Sequence, residues 1–161
     1  MKKLLFIFFF LINSLTFANH NIVDCNATYE SDINAIFAAI GNNWNDYKSF
    51  VENRTGFDLS NCLENRFQSN GDVKCKYLDN NRAGYAIPGL SQIKIDKNWL
   101  NRQSATQKNR RACIAALMAH EFSHTCLADE GRAYTIDNPT FHWWKDKYNS
   151  TNTWDSCGLA N

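Results

Sequence analysis

Ser104–Cys126 reads SATQKNRRACIAALMAHEFSHTC. Cys113, Ile114, Leu117 and Met118 recur at helical spacing, with alanines filling the positions between them. Ser104-Ala105-Thr106-Gln107 has the form of a capping box, with Ser at the cap and Gln three residues on. The stretch is therefore expected to be one buried helix from the capping box to about Cys126. At its apolar end stands His120-Glu121-Phe122-Ser123-His124. Residues four apart lie one turn apart on one helix face, so both imidazoles can reach one metal ion. Glu121 falls beside such an ion rather than against it. There a carboxylate can take a proton from metal-bound water. The plainer reading is two histidines packed or hydrogen-bonded on an amphipathic helix. Two His and a Glu at the end of an apolar core helix need partners, and a metal is one.

The chain on either side sets the context. Lys2 and Lys3 precede an unbroken apolar run, Leu4 to Ile12, and Thr16-Phe17-Ala18 follows. That is the form of a signal peptide, because the run is shorter than the ~20 residues a spanning helix needs. Cleavage after Ala18 leaves residues 19–161 as a single domain. A secreted or periplasmic protein with no membrane anchor after cleavage is expected. The leader takes two of the 17 basic residues, so 15 face 16 acidic ones. No basic stripe stands out, which argues against nucleic acid as a partner. The chain is 44% hydrophobic and 14% aromatic, enough for a core, and a monomer is expected.

Six cysteines follow the leader: Cys25, Cys62, Cys75, Cys113, Cys126 and Cys157. An even count in an exported chain implies three disulfides. Cys113 and Cys126 would sit ~20 Å apart on one helix at 1.5 Å per residue, beyond the ~7 Å limit for a bridge. They should belong to different disulfides. Cys126 as a thiolate ligand is the alternative.

Coarser signals give an α+β arrangement. Asn26–Ile40 reads as a helix and Leu59–Phe67 as a shorter one. Val73–Leu78, Ala83–Ile87 and Gln92–Asp96 read as strands, with a turn at Pro88-Gly89. Glu130–Asp137 and Thr140–Tyr148 read as two helices separated at Asn138-Pro139. Asn26, Asn53 and Asn149 begin glycosylation sequons, and no conclusion is drawn from them.

Gln92–Ala133, about a quarter of the chain, resembles the zincin metallopeptidases in its H-E-x-x-H helix and the strand before it. The resemblance implies a small zincin-like α+β domain with a short sheet, the motif helix and flanking helices. It implies zinc on His120 and His124, with Glu121 as general base, and a protein or peptide substrate. It also implies that Gln92–Asp96 is the cleft-edge strand on which substrate pairs. Its bland reading is an ordinary edge strand blunted by Lys94 and Asp96.

A catalytic zinc takes three protein ligands. Glu130 lies ten residues after His120, where metzincins (H-E-x-x-H-x-x-G-x-x-H) carry their third ligand. Leu127 stands where that pattern has Gly, Glu130 where it has the last His, and no Met follows. A Glu ligand resembles the gluzincins, which place it farther on. Asp129, Asp137 and His142 are the other candidates. A donor for the developing oxyanion is expected from Tyr134, with His142 and Tyr148 as alternatives. Trp143 and Trp144 are candidate groove residues, although one buried and one partly exposed is the commoner outcome. An exported zinc endopeptidase is the leading expectation. A zinc amidase acting on cell-wall peptides, or a secreted binding or toxin-like module with a structural metal, are the alternatives.

Overall fold

Helix α5, Gln107–Thr125, is the axis on which the rest is assembled. Every residue from Ala112 to Ser123 is buried, because neighbours cover it on all sides. The computed structural model describes residues 20–79 and 81–159, so the leader read at residues 1–18 lies outside the described residues. The alanines at 112, 115, 116 and 119 let helices and sheet approach α5 closely, and all four are fully buried.

Five more α-helices are described: α1 (Ala27–Asn42), α2 (Trp44–Thr55), α3 (Asn61–Asn65), α4 (Lys97–Arg102) and α6 (Glu130–Tyr148). One π-helical turn, Arg66–Asn70, prolongs α3, and a 3-10 turn spans Trp154–Cys157. The strands are β1 (Ile22–Val23), β2 (Asp72–Lys76), β3 (Gly84–Ala86) and β4 (Gln92–Asp96), in the order β1-β2-β4-β3. β1 and β4 run parallel to β2, and β3 runs antiparallel to β4. The fold is α+β with a small mixed sheet.

The alternation read in the sequence places Val73, Cys75, Ile93 and Ile95 on the core face of the sheet, all essentially fully buried. α1 keeps Ile33, Ile36, Phe37 and Ile40 inside, with Asn26 capping it by accepting from the Tyr29 N–H. Asp32 of α1 is buried, and Arg110 and Arg111 of α5 donate to its two oxygens at 2.6 and 2.7 Å. This pairing compensates the buried Asp32 charge.

Three disulfides close the structure: Cys25–Cys75, Cys62–Cys126 and Cys113–Cys157. Cys113 and Cys126 fall in different bridges, as the helix geometry requires. Cys126 is thereby removed from the candidate ligands. The bridges fit an oxidising compartment. Among the described residues no helix is long and apolar enough to cross a membrane.

Four expectations are corrected. Ser104 does not cap α5; its Oγ accepts from the Thr106 N–H in a local turn, and the helix starts at Gln107. α6 runs unbroken through Pro139. A proline inside a helix costs about 3 kcal/mol, yet Ile136, Thr140, Phe141, Trp143 and Trp144 are all buried around it, and that burial outweighs the lost hydrogen bond. Trp143 and Trp144 are both core residues, 3% and 2% exposed, so neither is a groove residue at the histidines. Finally, β4 is an inner strand, and the sheet edge beside α5 is β3.

Candidate metal centre

The end of α5 is shaped by a residue in an unusual conformation. Leu127 has φ 68°, the left-handed region in which glycine is the ordinary choice. Its N–H donates to His124 O, and the Ala128 N–H reaches back to Ser123 O at 3.0 Å. This closes the last turn of α5 and reverses the chain. Asp129 then caps α6 by accepting from the Arg132 N–H at 2.8 Å. The reversal brings the first residue of α6, Glu130, directly onto the histidines.

Three ligand atoms meet there. His120 Nε2 and His124 Nε2 are 3.1 Å apart. Glu130 Oε2 lies 3.6 Å from the first and 3.4 Å from the second. His120, His124 and Glu130 form a group that could hold a metal ion. The outer nitrogens explain why. His120 Nδ1 lies 3.1 Å from Asp137 Oδ2, and His124 Nδ1 lies 3.0 Å from Ala128 O. Both partners are acceptors, so each Nδ1 carries the proton and each Nε2 presents a lone pair. Two lone pairs and a carboxylate oxygen facing one another repel unless a cation sits between them. The spacing fits one. Donors about 2.05 Å from a tetrahedral ion are roughly 3.3 Å apart, and the three separations bracket that value.

Other candidates take other roles. Asp137, 2% exposed, orients His120 rather than joining the ligand atoms. Asp129 is spent on its cap. His142 lies among Arg54, Lys145 and Asp146, away from the cavity, with its pKa lowered first by burial and then by Arg54. Tyr148 packs on Trp144. Tyr134 does stand at the site, with its ring centroid 4.8 Å from that of His120 and its side chain partly exposed. Glu130, Tyr134 and Asp137 recur at helical spacing, so one face of α6 supplies all three.

Glu121 is 6% exposed, and burial pushes its pKa up to about 7; Glu130 raises it further, against lowering by His120 and Arg82. His120 is pulled down by burial but is raised overall by its bond to Asp137 and the charges of Glu121, Asp137 and Glu130.

Gly84 of β3 makes room for Glu121. A Cβ there would strike Glu121 Oε1 and come 2.8 Å from its Cδ. The weak strand Ala83–Ile87 carried this signal as an internal glycine, which marks close approach.

No protein-family model and no curated protein matches this chain. The site is therefore characterised by its own geometry. A cavity of about 560 Å³ opens over His120, Glu121, His124, Glu130 and Tyr134. β3 forms one wall, with Arg82 and Pro88 on either side of it. The remaining wall includes Leu117, Gly158 and Leu159. Arg82, Gly84, Gly158 and Leu159 were not singled out from the sequence, since their proximity depends on non-local pairing.

Proposed function

We propose that this protein is an exported zinc-dependent endopeptidase of the zincin kind. The observation that carries the reading is the convergence of His120 Nε2, His124 Nε2 and Glu130 Oε2 within 3.1–3.6 Å, beside a buried Glu121 and under an open cavity. Two imidazoles and one carboxylate form a catalytic zinc donor set that leaves a coordination position open, whereas structural zinc sites are closed by four protein groups. When bound, zinc lowers the pKa of a coordinated water towards ~7 and polarises a carbonyl oxygen.

The chain's own groups supply the remaining chemistry. Glu121 takes the proton released by the attacking water and delivers it to the amine as the C–N bond breaks. Its place against Gly84 aims the carboxylate between α5 and the edge strand. The Tyr134 hydroxyl donates to the oxygen that becomes negative in the tetrahedral state. Asp137 holds the His120 ring in one tautomer.

β3 can hold an extended peptide. The Asp96 N–H donates to Ala83 O at 2.8 Å, so Ala83 and Asp96 are a hydrogen-bonded pair. By antiparallel alternation Tyr85 and Lys94 are the next such pair. The N–H and C=O groups of Gly84 and Ala86 then point to the free edge. A substrate adds to them as a further strand. This role falls to β3 in place of Gln92–Asp96.

The test is metal analysis with a peptide library. The mature protein is expected to bind one zinc and to cut peptides. His120→Ala and His124→Ala should lose the zinc, and Glu130→Ala should weaken its binding. Full occupancy in all three variants would refute the ligand assignment.

A further inference from the structure

Another cavity, of about 550 Å³, lies at the opposite end of α5 from the metal group. Lys108, on its wall, precedes His120 by twelve residues of one helix, roughly 18 Å at 1.5 Å per residue. Three helices surround it. Ala35, Ala38, Ala39 and Asn42 recur at helical spacing on one face of α1, and the alanine methyls leave space there that longer side chains would fill. α6 supplies Trp144 and Tyr148, one turn apart, with ring centroids 4.4 Å apart. Trp144 is buried, and its indole N–H has no hydrogen-bond partner among the described residues. A buried donor in that state is uncommon, and an acceptor brought by a ligand is one way to satisfy it.

α5 supplies the charge. Arg110 and Arg111 share the one carboxylate of Asp32, so one positive charge is left over. Arg111 spends only its Nε on Asp32, and among the described residues its two terminal nitrogens have no acceptor. Lys108 is exposed and forms no ion pair among the described residues. The helix also starts without a side-chain cap or an acid in its first turn, so its dipole adds to the same sign. None of the residues lining the cavity is acidic. An excess of positive charge thus meets an aromatic and aliphatic wall. Small-molecule sites have this size and this make-up, apolar walls with a few placed polar groups, and they recur between helices. Two cations at one cavity suit a single anionic group, whereas a polyanion would need a longer row of them.

We propose that this cavity binds a small amphipathic organic anion, its carboxylate held by Lys108 and Arg111 and its aromatic or aliphatic body laid against Trp144, Tyr148 and the α1 alanines. The site is separate from the metal group and does not depend on the peptidase reading.

The test is NMR titration of the full mature protein with phenylbutyrate, phenylbutanol and acetate, with and without zinc. The reporters are the Trp144 indole N–H and the Ala38 and Ala39 methyls. Phenylbutyrate should shift all three saturably, and to the same extent in zinc-free and zinc-loaded protein. Phenylbutanol lacks the charge and should bind at least about tenfold more weakly, the scale of one hydrogen bond to a charged group. Acetate lacks the apolar body and should not saturate the site. Lys108→Glu should weaken phenylbutyrate binding by about tenfold or more, since it replaces an attraction by a repulsion. Ala38→Phe should abolish binding by filling the cavity. Both positions are exposed, so both variants should melt within a few degrees of wild type. Three results would each overturn the site: equal affinity for phenylbutanol and phenylbutyrate, wild-type affinity in both variants, or shifts confined to the His120 and His124 rings, which would place the carboxylate at the metal group instead.

Discussion

Glu121→Gln is expected to stabilise the zinc-free protein at alkaline pH and to leave its stability unchanged in acid. Burial raises the Glu121 pKa from 4.5 to about 7 in the folded chain. Between those values the folded state holds a proton that the unfolded state has lost, so stability falls as pH rises. Each pKa unit is worth about 1.4 kcal/mol, so the buried carboxylate destabilises the fold by about 3 kcal/mol above pH 7. Gln has the same shape and does not ionise. Below pH 4.5 the two proteins should unfold alike, and by pH 8 the variant should lead by about 3 kcal/mol. The assay is urea unfolding of both proteins from pH 4 to pH 8 with a chelator present. The Glu121 charge also raises the pKa of His120, so the titration of that ring is followed by NMR in both proteins and its contribution subtracted. Zinc should narrow the gap, because a cation beside the carboxylate favours its charged form. An offset that stays constant across this pH range would show that Glu121 titrates normally, and the buried-base argument would fall.

Asp137→Asn should weaken zinc binding roughly 10–100-fold with the fold retained, measured by competition with a chelating dye, because it removes the carboxylate that orients His120. Gly84→Ala should destabilise the protein through its collision with Glu121. In a Glu121→Ala background the same change should be far milder, and an additive double-mutant cycle in urea unfolding would contradict the contact. Replacing Cys62 and Cys126 together by Ser should cost about 2–4 kcal/mol, read by urea unfolding, since the bridge closes a long loop.

The centre of the fold was legible because α5 combines an apolar surface with chemistry at one end. His120, Glu121 and His124 needed only helical periodicity to be placed together. Glu130 followed from its distance along the chain, but its reason did not. Nothing in the residue type of Leu127 announces a left-handed conformation, and the turn it makes brings Glu130 back to the histidines. α2 was missed although Trp44, Tyr47 and Val51 form its buried stripe, because the polar residues between them dilute the pattern. The length of α6 was misread at Pro139, where a local rule yields to burial on both sides. The cleft edge was assigned to Gln92–Asp96 because that strand has the cleaner alternation. Clean alternation with a buried face equally suits an inner strand, and pairing order is set by partners distant in sequence. Gly158 and Leu159 were hidden for the same reason, since the Cys113–Cys157 bridge that helps bring them to the site joins positions 44 residues apart.

The most direct test of the account is the turnover of a library-selected peptide by wild type and Glu121→Gln at matched zinc content. The proposed ligands His120, His124 and Glu130 are present in both proteins, so occupancy should be equal. Removing the base should lower kcat/KM by at least ~10²-fold, the usual worth of a positioned proton acceptor. Wild-type turnover in a zinc-loaded Glu121→Gln protein would contradict the account at its centre.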